Sequence, residues 1–371
     1  MASLAPSKPH RLYIGLMSGT SLDGIDGVLF DAASLAVTGH VHAPFAPALR
    51  DELLALNAPG DNELHRAALA ANAVARGYAD VVSQLLEATG TRRSQITAIG
   101  AHGQTVRHRP DGLDGYTTQL LNGALLAEQA GIDVVCDLRS RDVAAGGQGA
   151  PLVPAFHRAI FGTSDTDVAV LNLGGIANLS LLFADGRTGG FDTGPANCLM
   201  DGWTAVHLGE AFDADGTWAA TGHVLPELLA VLQAEPFFAL PPPKSTGRDL
   251  FHLDWLQARL TPGQRPQDVQ ATLLELSARS IADSLKHQMP QARTLIACGG
   301  GARNGRLMQR LSELLPGVEV ESSATRNLPV DQVEAAAFAW LAHRFVERQP
   351  GNLPAVTGAA GPRLLGALYP A

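Results

Sequence analysis

The stretch Gly19-Thr20-Ser21-Leu22-Asp23-Gly24-Ile25-Asp26 joins two apolar runs, residues 11–17 and 25–30. The first run predicts a buried strand and the second an alternating return strand, so the stretch is the tip of a hairpin. Its glycines allow backbone N–H groups to face inward, and such amides beside hydroxyls suit phosphate oxygens. Its carboxylates suit a phosphate accompanied by a divalent cation. An ordinary hairpin with a polar tip is the competing interpretation.

The composition is that of a globular protein. Hydrophobic residues make up 46% and charged residues 17% of the 371 residues, and 39 residues are glycine. This length predicts two domains, each with its own core. The formal net charge of −9 argues against a basic nucleic-acid-binding surface, so a phosphorylated ligand would be bound by local amides, a few cations or a metal.

The sequence features that bear on localisation favour the cytoplasm. Cys136, Cys198 and Cys298 are far apart and form no metal-type pair, as expected in a reducing compartment. The first ten residues lack the apolar stretch of a signal peptide, and no run is long enough to cross a bilayer. We therefore expect a cytoplasmic protein.

Two further glycine-turned loops follow predicted strands. Gly174 and Gly175 separate apolar runs at 167–173 and 176–183, which predicts a tight hairpin. Gly299, Gly300 and Gly301 follow a strand at 294–298 and open a helix, whose amides suit a phosphate or an adenosine. Three such loops indicate a nucleotide held by two halves of the chain, although none has the spacing of a P-loop or a dinucleotide fingerprint. Glycines that serve only tight turns are the alternative.

Apolar periodicity predicts the remaining elements. Strands are expected at 35–41, 96–101, 133–137 and 318–321, and helices at 48–56, 64–89, 119–131, 198–207, 271–286 and 333–345. Asn197 is the expected N-cap of helix 198–207. Residues 144–150 and 351–371 are expected to be loops, and 236–243 a proline-rich connector.

Several carboxylates lie beside loop signals, and phosphoryl transfer needs a base near the acceptor and neutralised charge at the phosphates. They are Asp23, Asp26, Asp142, Asp192 and Glu334. Asp192 stands out because Thr193-Gly194-Pro195 predicts a constrained turn after the second hairpin. Asp26 has an alternative interpretation as a solvated acid at the start of a strand. Glu334 has one as an acid at a helix N-terminus that interacts favourably with the helix dipole.

Polar residues at 102–105 follow the strand at 96–101, where binding residues are often found in open α/β sheets. His102 in this group is more typical of a core histidine with satisfied hydrogen bonds. Arg139 stands beside a glycine-rich loop, and its guanidinium is suited to a carboxylate or to sugar oxygens. A surface ion pair is an equally good interpretation of Arg139.

Seven motifs resemble, in their order and spacing over residues 11 to about 345, those of the anhydro-N-acetylmuramic acid kinases. They are GLMSGTSLDGID (15–26), GAHGQT (100–105), AAGGQGAPLVP (144–154), LNLGGIANLS (171–180), FDTGPANCLMD (191–201), KSTGRD (244–249) and CGGGARN (298–304). The resemblance implies an α/β fold of two ribonuclease-H-like, actin-like ATPase domains with a nucleotide cleft between them. We place these at 1–138, joined by the tail 346–371, and at 139–345.

The family resemblance also implies the reaction. ATP, water and 1,6-anhydro-N-acetylmuramic acid would give N-acetylmuramic acid 6-phosphate and ADP, with the anhydro ring opened as the 6-oxygen is phosphorylated. This amino-sugar kinase step belongs to peptidoglycan recycling, and family members are homodimers.

Carried over by position, the resemblance assigns a role to each candidate residue. The ATP-binding residues would be Gly19, Thr20, Ser21, Leu22, Asp23, Gly24, Ile25, Asp26, Gly174, Gly175, Gly299, Gly300, Gly301 and Asn304. Asp192 would be the general base that activates water, and Gln104, Arg139, Asp142 and Glu334 would contact the sugar. Asp23 would face Mg²⁺.

Two positions depart from the related patterns. Ala196 stands where the family usually has glycine, and Met17 occupies the region where related sugar kinases carry an aspartate late in the first strand. The second departure leaves Asp23 or Asp192, acting through water, as candidate metal contacts.

Two other functions are compatible with these residues. A sugar kinase of the same fold would phosphorylate an ordinary hydroxyl, with Asp192 taking that hydroxyl's proton. An ATP-gated binding protein would move on nucleotide binding and release no sugar product. The anhydro reaction needs one base only, because the γ-phosphorus captures the leaving 6-oxygen, which an inverting glycosidase would protonate with an acid.

Overall fold

The computed structural model describes residues 11–19, 22–247 and 249–371. Its strands are β1 (Leu12–Met17), β2 (Gly24–Asp31), β3 (Ala36–Pro44), β4 (Ile96–Ala101), β5 (Gln104–Arg109), β6 (Tyr116–Leu120), β7 (Val134–Cys136), β8 (Val168–Leu173), β9 (Ile176–Leu182), β10 (Thr188–Pro195), β11 (Thr294–Cys298), β12 (Glu319–Ser322) and β13 (Ala367–Tyr369).

The helices are α1 (Pro47–Ala55), α2 (Glu63–Thr89), α3 (Gly123–Ala130), α4 (Ser140–Val143), α5 (Val153–Phe161), α6 (Asn197–Leu208), α7 (Pro226–Gln233), α8 (Pro236–Ala239), α9 (Leu253–Gln257), α10 (Pro266–Gln288), α11 (Gly305–Leu314), α12 (Val333–Val346) and α13 (Pro354–Thr357). None of the described helices is both long enough and apolar enough to cross a membrane.

The chain forms two compact units. The first unit runs to Phe156 and resumes at Gln332–Ala371, and the second comprises His157–Asp331. These units divide the chain at other positions than the predicted domains, 1–138 with 346–371 and 139–345. Helix α12 belongs to the first unit because it packs against β1, β2 and β4.

The first unit is built on a six-stranded mixed sheet of order β13-β7-β4-β1-β2-β3. Strands β1, β2 and β3 form an antiparallel meander, whereas β4 and β7 run parallel to β1. Three antiparallel strands followed by two parallel ones are the arrangement expected of a ribonuclease-H-like sheet. Strand β13 extends the sheet edge antiparallel to β7.

The second unit repeats this arrangement in a five-stranded sheet of order β10-β9-β8-β11-β12. Strands β8, β9 and β10 are antiparallel neighbours, and β11 and β12 run parallel to β8. The predicted hairpin at Gly174 and Gly175 is confirmed, since Leu173 pairs with Ala177 across it. The predicted α/β class with two mixed sheets is therefore confirmed.

Helix α12 lies against the backbone of the first sheet. A Cβ on Gly15 in β1 would collide with the Ala335 carbonyl, and one on Gly100 in β4 with the Phe338 carbonyl. Both positions need glycine because the helix and strand backbones are in direct contact. Alanines at 335–337, 339 and 342 leave α12 narrow enough for this approach.

Several local predictions are wrong. Residues 119 and 120 end strand β6, which pairs with β5, so the helix predicted at 119–131 is only α3. Asp192 lies within β10 and not on a turn. Asn197 is the first helical residue of α6 and donates from its Nδ2 to the Leu173 carbonyl, so it is no N-cap. The tail contains α13 and β13.

We predict that Gly100→Ala destabilises the protein by about 1–3 kcal/mol, because the added methyl group forces α12 away from β4. The measurement is the midpoint of urea unfolding. The matched control is Gly189→Ala in β10, where a Cβ would meet Leu181 at an ordinary 3.8 Å. Equal midpoints for the two variants would contradict direct packing of α12 on β4.

Candidate active site

In the first unit, the candidate residues follow the carboxyl ends of neighbouring parallel strands. Leu16 of β1 pairs with Ala101 of β4, and the N–H of His102 donates to the Leu16 carbonyl at 3.0 Å. Ser18 and Gly19 therefore lie beside the residues that follow β4. Loops at such strand ends are the usual place for ligands in open α/β sheets.

The Gly19 carbonyl is held by two donors. This oxygen accepts the Leu22 N–H at 3.2 Å and Gln104 Nε2 at 3.1 Å. Leu22 adopts a left-handed conformation with φ of 58° and buries its side chain in the core of the first unit. Thr20 and Ser21, predicted as ATP-binding, lie outside the described residues. Gln104 thus supports this loop, and its buried Oε1 has no partner among the described residues.

The predicted carboxylates of this loop differ in environment. Asp23 is exposed, whereas Gly24, Ile25 and Asp26 already belong to β2. Asp26 Oδ1 lies 3.1 Å from His40 Nε2 and 3.0 Å from His42 Nδ1. The sequence analysis missed these two histidines, although their alternation on β3 would have placed them on one face beside Asp26.

Arg139 is partly buried and held by two neutral acceptors. Its Nε donates to His102 Nε2 at 3.0 Å, and its Nη1 donates to the Gly149 carbonyl at 2.8 Å. No carboxylate of the described residues lies within ion-pair distance of it. Burial lowers the pKa of Arg139 to about 10, against the effects of the more distant Glu334 and Asp142. The guanidinium still carries its charge at neutral pH, so an anionic ligand would satisfy it.

Glu334 stands in the first turn of α12 and shares the electrostatic environment of Arg139. Burial raises the pKa of Glu334, the Arg139 charge opposes that rise, and Asp26 and Asp23 add to it. The structure thus brings Asp23, Asp26, Arg139 and Glu334 together in one part of the first unit.

Asp142 is buried and uses both carboxylate oxygens on protein donors. Oδ2 accepts the Gly149 N–H at 2.8 Å, and Oδ1 accepts Asn352 Nδ2 at 2.6 Å and Thr357 Oγ1 at 2.8 Å. A Cβ on Gly147 would collide with this carboxylate. Asp142 therefore ties the glycine-rich loop to the C-terminal segment, a connection with no signal in the local sequence.

In the second unit, the Gly174 and Gly175 turn is fixed by the start of α6. The Gly174 carbonyl accepts the Asn197 N–H at 3.1 Å, and the Gly175 carbonyl accepts the N–H groups of Ala196 and Cys198 at 3.0 Å. Because the two ends of a trans peptide point in opposite directions, the N–H of Gly175 points away from α6. That direction suits an amide that binds phosphate.

The third glycine loop lies against the second. Gly299 has a φ of 79°, and a Cβ there would meet Asn172 Oδ1 at 2.5 Å. A Cβ on Gly301 would meet the Leu173 side chain at 2.8 Å. Asn304 caps α11, since its Oδ1 accepts the Leu307 N–H at 3.0 Å. The structure thus brings Gly174, Gly175, Gly299, Gly300, Gly301 and Asn304 together.

Asp192 is fixed by a segment that the sequence analysis did not assign. The Asp192 N–H donates to the Lys244 carbonyl at 3.0 Å, and Oδ2 accepts the Thr246 N–H at 2.9 Å. Lys244 Nζ donates to the carbonyls of Phe237 and Phe238, so it does not pair with the carboxylate. Burial raises the pKa of Asp192 to about 6, opposed by the Thr246 N–H. This is a carboxylate with the proton affinity of a general base.

The donor set suits a metal ion that arrives with a nucleotide. Over the described ranges, no three His, Cys, Asp or Glu side chains group in a way that would hold a metal ion. Nucleotide-bound Mg²⁺ keeps several waters and needs only one or two carboxylates beside the phosphates. Asp23 is exposed and supplies one such carboxylate, and Asp26 lies within hydrogen-bond distance of two histidines.

Comparison with known proteins gives a consistent result. The model of the family "AnmK: Anhydro-N-acetylmuramic acid kinase" matches residues 11–371. The chain is similar to the anhydro-N-acetylmuramic acid kinase of Variovorax paradoxus, with 60% identity over 97% of this chain and 99% of the relative. It is 54% identical to that of Ralstonia nicotianae, over 100% of both chains.

Among solved structures, the chain is similar to the activator of the 2-hydroxyisocaproyl-CoA dehydratase from Clostridium difficile with bound ADPNP. The identity is 13% and the TM-score 0.48, over 91% of this chain and 96% of that chain.

We predict that kcat/KM falls as the pH drops through about 6, because a protonated Asp192 accepts no proton. Asp192→Asn removes this acid limb and lowers turnover by about 10²–10⁴ while both substrates still bind. The matched control is Asp185→Asn, an exposed acid paired with Arg187 in the same unit. Weakened ATP binding in Asp192→Asn that extra Mg²⁺ restores would make Asp192 a metal contact and not the base.

Proposed function

This chain belongs to the anhydro-N-acetylmuramic acid kinase family, and we propose how its residues carry out that activity. The reaction takes ATP, water and 1,6-anhydro-N-acetylmuramic acid to N-acetylmuramic acid 6-phosphate and ADP. The observation that carries the proposal is Asp192, a carboxylate with a raised pKa, one oxygen fixed by a backbone N–H and no cation paired with it among the described residues.

Asp192 acts as the base toward water. With Oδ2 held by Thr246, Oδ1 is the oxygen that accepts the water proton as the water oxygen bonds to C1. The C1–O6 bond breaks with its electron pair on O6, and O6 takes the γ-phosphoryl group. Because phosphorus captures the leaving oxygen, no acid is needed to protonate it.

The glycine loops bind the nucleotide. The loop at Gly19 and the turn at Gly174 and Gly175 offer backbone amides to phosphate oxygens, and Gly299–301 with Asn304 contact the α-phosphate or the adenosine. Mg²⁺, where it accompanies ATP, neutralises phosphate charge, and Asp23 is the residue that would contact it through water.

Arg139 recognises the sugar through its lactyl carboxylate. A charged guanidinium with neutral hydrogen-bond partners and no ion-pair partner in the described chain favours an anionic ligand. Gln104 Oε1, buried and unpartnered among the described residues, accepts a hydroxyl or amide hydrogen. Glu334 contacts sugar hydroxyls near Arg139, and Asp142 contributes by holding the Arg139–Gly149 loop.

The biological setting follows from the substrate, which arises from peptidoglycan turnover and is recycled in the cytoplasm.

We propose a homodimer, because closed two-fold pairs are the commonest oligomers. Light scattering at micromolar protein is expected to give twice the mass of the chain, and a monomer alone would contradict this.

The position of the solvent oxygen tests the reaction. In ¹⁸O water, we expect the heavy label at C1 of the product and none in the phosphate ester, as read by mass spectrometry of fragments. Anomeric exchange is excluded by sampling within the first turnovers and by a control incubation of unlabelled product. A product without early C1 label would indicate a kinase that phosphorylates an ordinary hydroxyl, and ADP release without any sugar would indicate an ATP-gated protein.

We predict that Arg139→Ala raises the KM for the anhydro-sugar by about 10- to 100-fold, the loss expected for a charge-assisted contact. The KM for ATP stays unchanged. Arg66→Ala is the matched control, because Arg66 forms a peripheral ion pair with Glu52 in the same unit. A sugar lacking the lactyl carboxylate should bind Arg139→Ala and the unaltered enzyme equally. Altered ATP affinity with an unchanged sugar KM would assign Arg139 to the phosphates.

A further inference from the structure

His102 has no role in the function proposed above, yet its ring is closely fixed. The side chain is only 5% exposed at the carboxyl end of β4. Its ring centroid lies 4.6 Å from that of Phe338 in α12, with the planes tilted by 44°. On the other side, Nε2 is 3.0 Å from Arg139 Nε.

The hydrogen bond to Arg139 determines the tautomer of His102. A guanidinium only donates, so His102 Nε2 must accept and carries no proton. The imidazole proton is then on Nδ1. Burial and the Arg139 charge lower the pKa of His102 to about 3, although the carbonyls of Gly103 and Ser18 favour its protonation. The ring is therefore neutral throughout the physiological range.

This neutral acceptor fixes the orientation of Arg139. Two different nitrogens of the guanidinium are held, Nε by His102 and Nη1 by the Gly149 carbonyl. Two bonds at different nitrogens fix both the position and the plane of the group. Nη2 has no hydrogen-bond partner among the described residues and is available to a ligand. Neither acceptor neutralises the charge, so Arg139 keeps its full attraction for an anion.

We propose that His102 is a positioning residue, which orients the Arg139 guanidinium toward the carboxylate of the sugar through the hydrogen bond that its Nε2 accepts from Arg139 Nε. The inference rests on the proposed role of Arg139. It assigns to His102 a function in substrate affinity, in place of the core role that its sequence context suggested.

A matched pair of amide substitutions tests whether the Nε2 position of His102 is the one that holds Arg139. Glutamine places its amide oxygen near the position of Nε2, and asparagine reaches only the position of Nδ1. We expect His102→Asn to raise the sugar KM about 10-fold, the worth of one hydrogen bond to a charged group, with the ATP KM unchanged. His102→Gln is expected within about threefold of the unaltered enzyme. Equal losses in both variants, or a parallel rise in the ATP KM, would overturn the proposal.

Combining substitutions at His102 and Arg139 distinguishes a positioning role of His102 from a general structural role. In the Arg139→Ala background, His102→Asn should produce no further rise in the sugar KM, because the group it orients is absent. A full additional 10-fold rise would overturn the proposal. If Arg139→Ala alone leaves the sugar KM unchanged, the role of Arg139 fails and this inference with it. If Arg139→Ala raises the KM but His102→Asn does not, only the inference about His102 fails.

The unsubstituted protein provides a direct test of the His102 tautomer. Nitrogen NMR of ¹⁵N-histidine-labelled protein, with His102 assigned through His102→Gln, should show a neutral ring with its proton on Nδ1 from pH 5 to 8. A proton on Nε2, or titration within that range, would overturn the proposal.

Discussion

Helix α12 rests on the backbones of β1 and β4 because Gly15 and Gly100 place no side chain between helix and sheet. The first unit's candidate site depends on this contact. It places Phe338 against the His102 ring, and His102 holds Arg139. It also sets Glu334, in the first turn of the same helix, in the field of the Arg139 guanidinium. The positions of these charged groups therefore depend on the backbone packing at the two glycines.

Both units hold a glycine beside the candidate site through its backbone carbonyl. The Gly19 carbonyl accepts from Gln104 and Leu22, and the Gly174 carbonyl accepts from Asn197. At Gly174, the engaged carbonyl leaves the N–H of Gly175, in the same peptide, on the opposite side. A turn held in this way binds an anion with little loss of conformational freedom.

Local sequence patterns were sufficient to predict much of the fold. Apolar runs predicted β4 and β11 to the residue, and the turn at Gly174 and Gly175 was found because a tight hairpin needs small residues there. The prediction failed where contacts with segments distant in sequence determine the local structure. Residues 119–120 have helical composition, but pairing with β5 makes them a strand.

The candidate site shows the same limit on prediction from sequence. Its acids and Arg139 could be selected because they stand beside loop signals. Their partners could not, since Thr246, Asn352 and Thr357 are remote in sequence from the carboxylates they hold. The roles of the selected residues stay predictions until the substitutions are made.

The discontinuity of the first unit has a consequence for biosynthesis. The second unit is continuous from His157 to Asp331, so all of its residues are synthesised before α12. The first unit must wait for residues 332–371, including the partners of Asp142, before its sheet is covered at Gly15 and Gly100. Because domains generally fold as units during synthesis, the continuous second unit can complete its fold before the discontinuous first unit. A nascent chain halted before α12 leaves the sheet uncovered at Gly15 and Gly100.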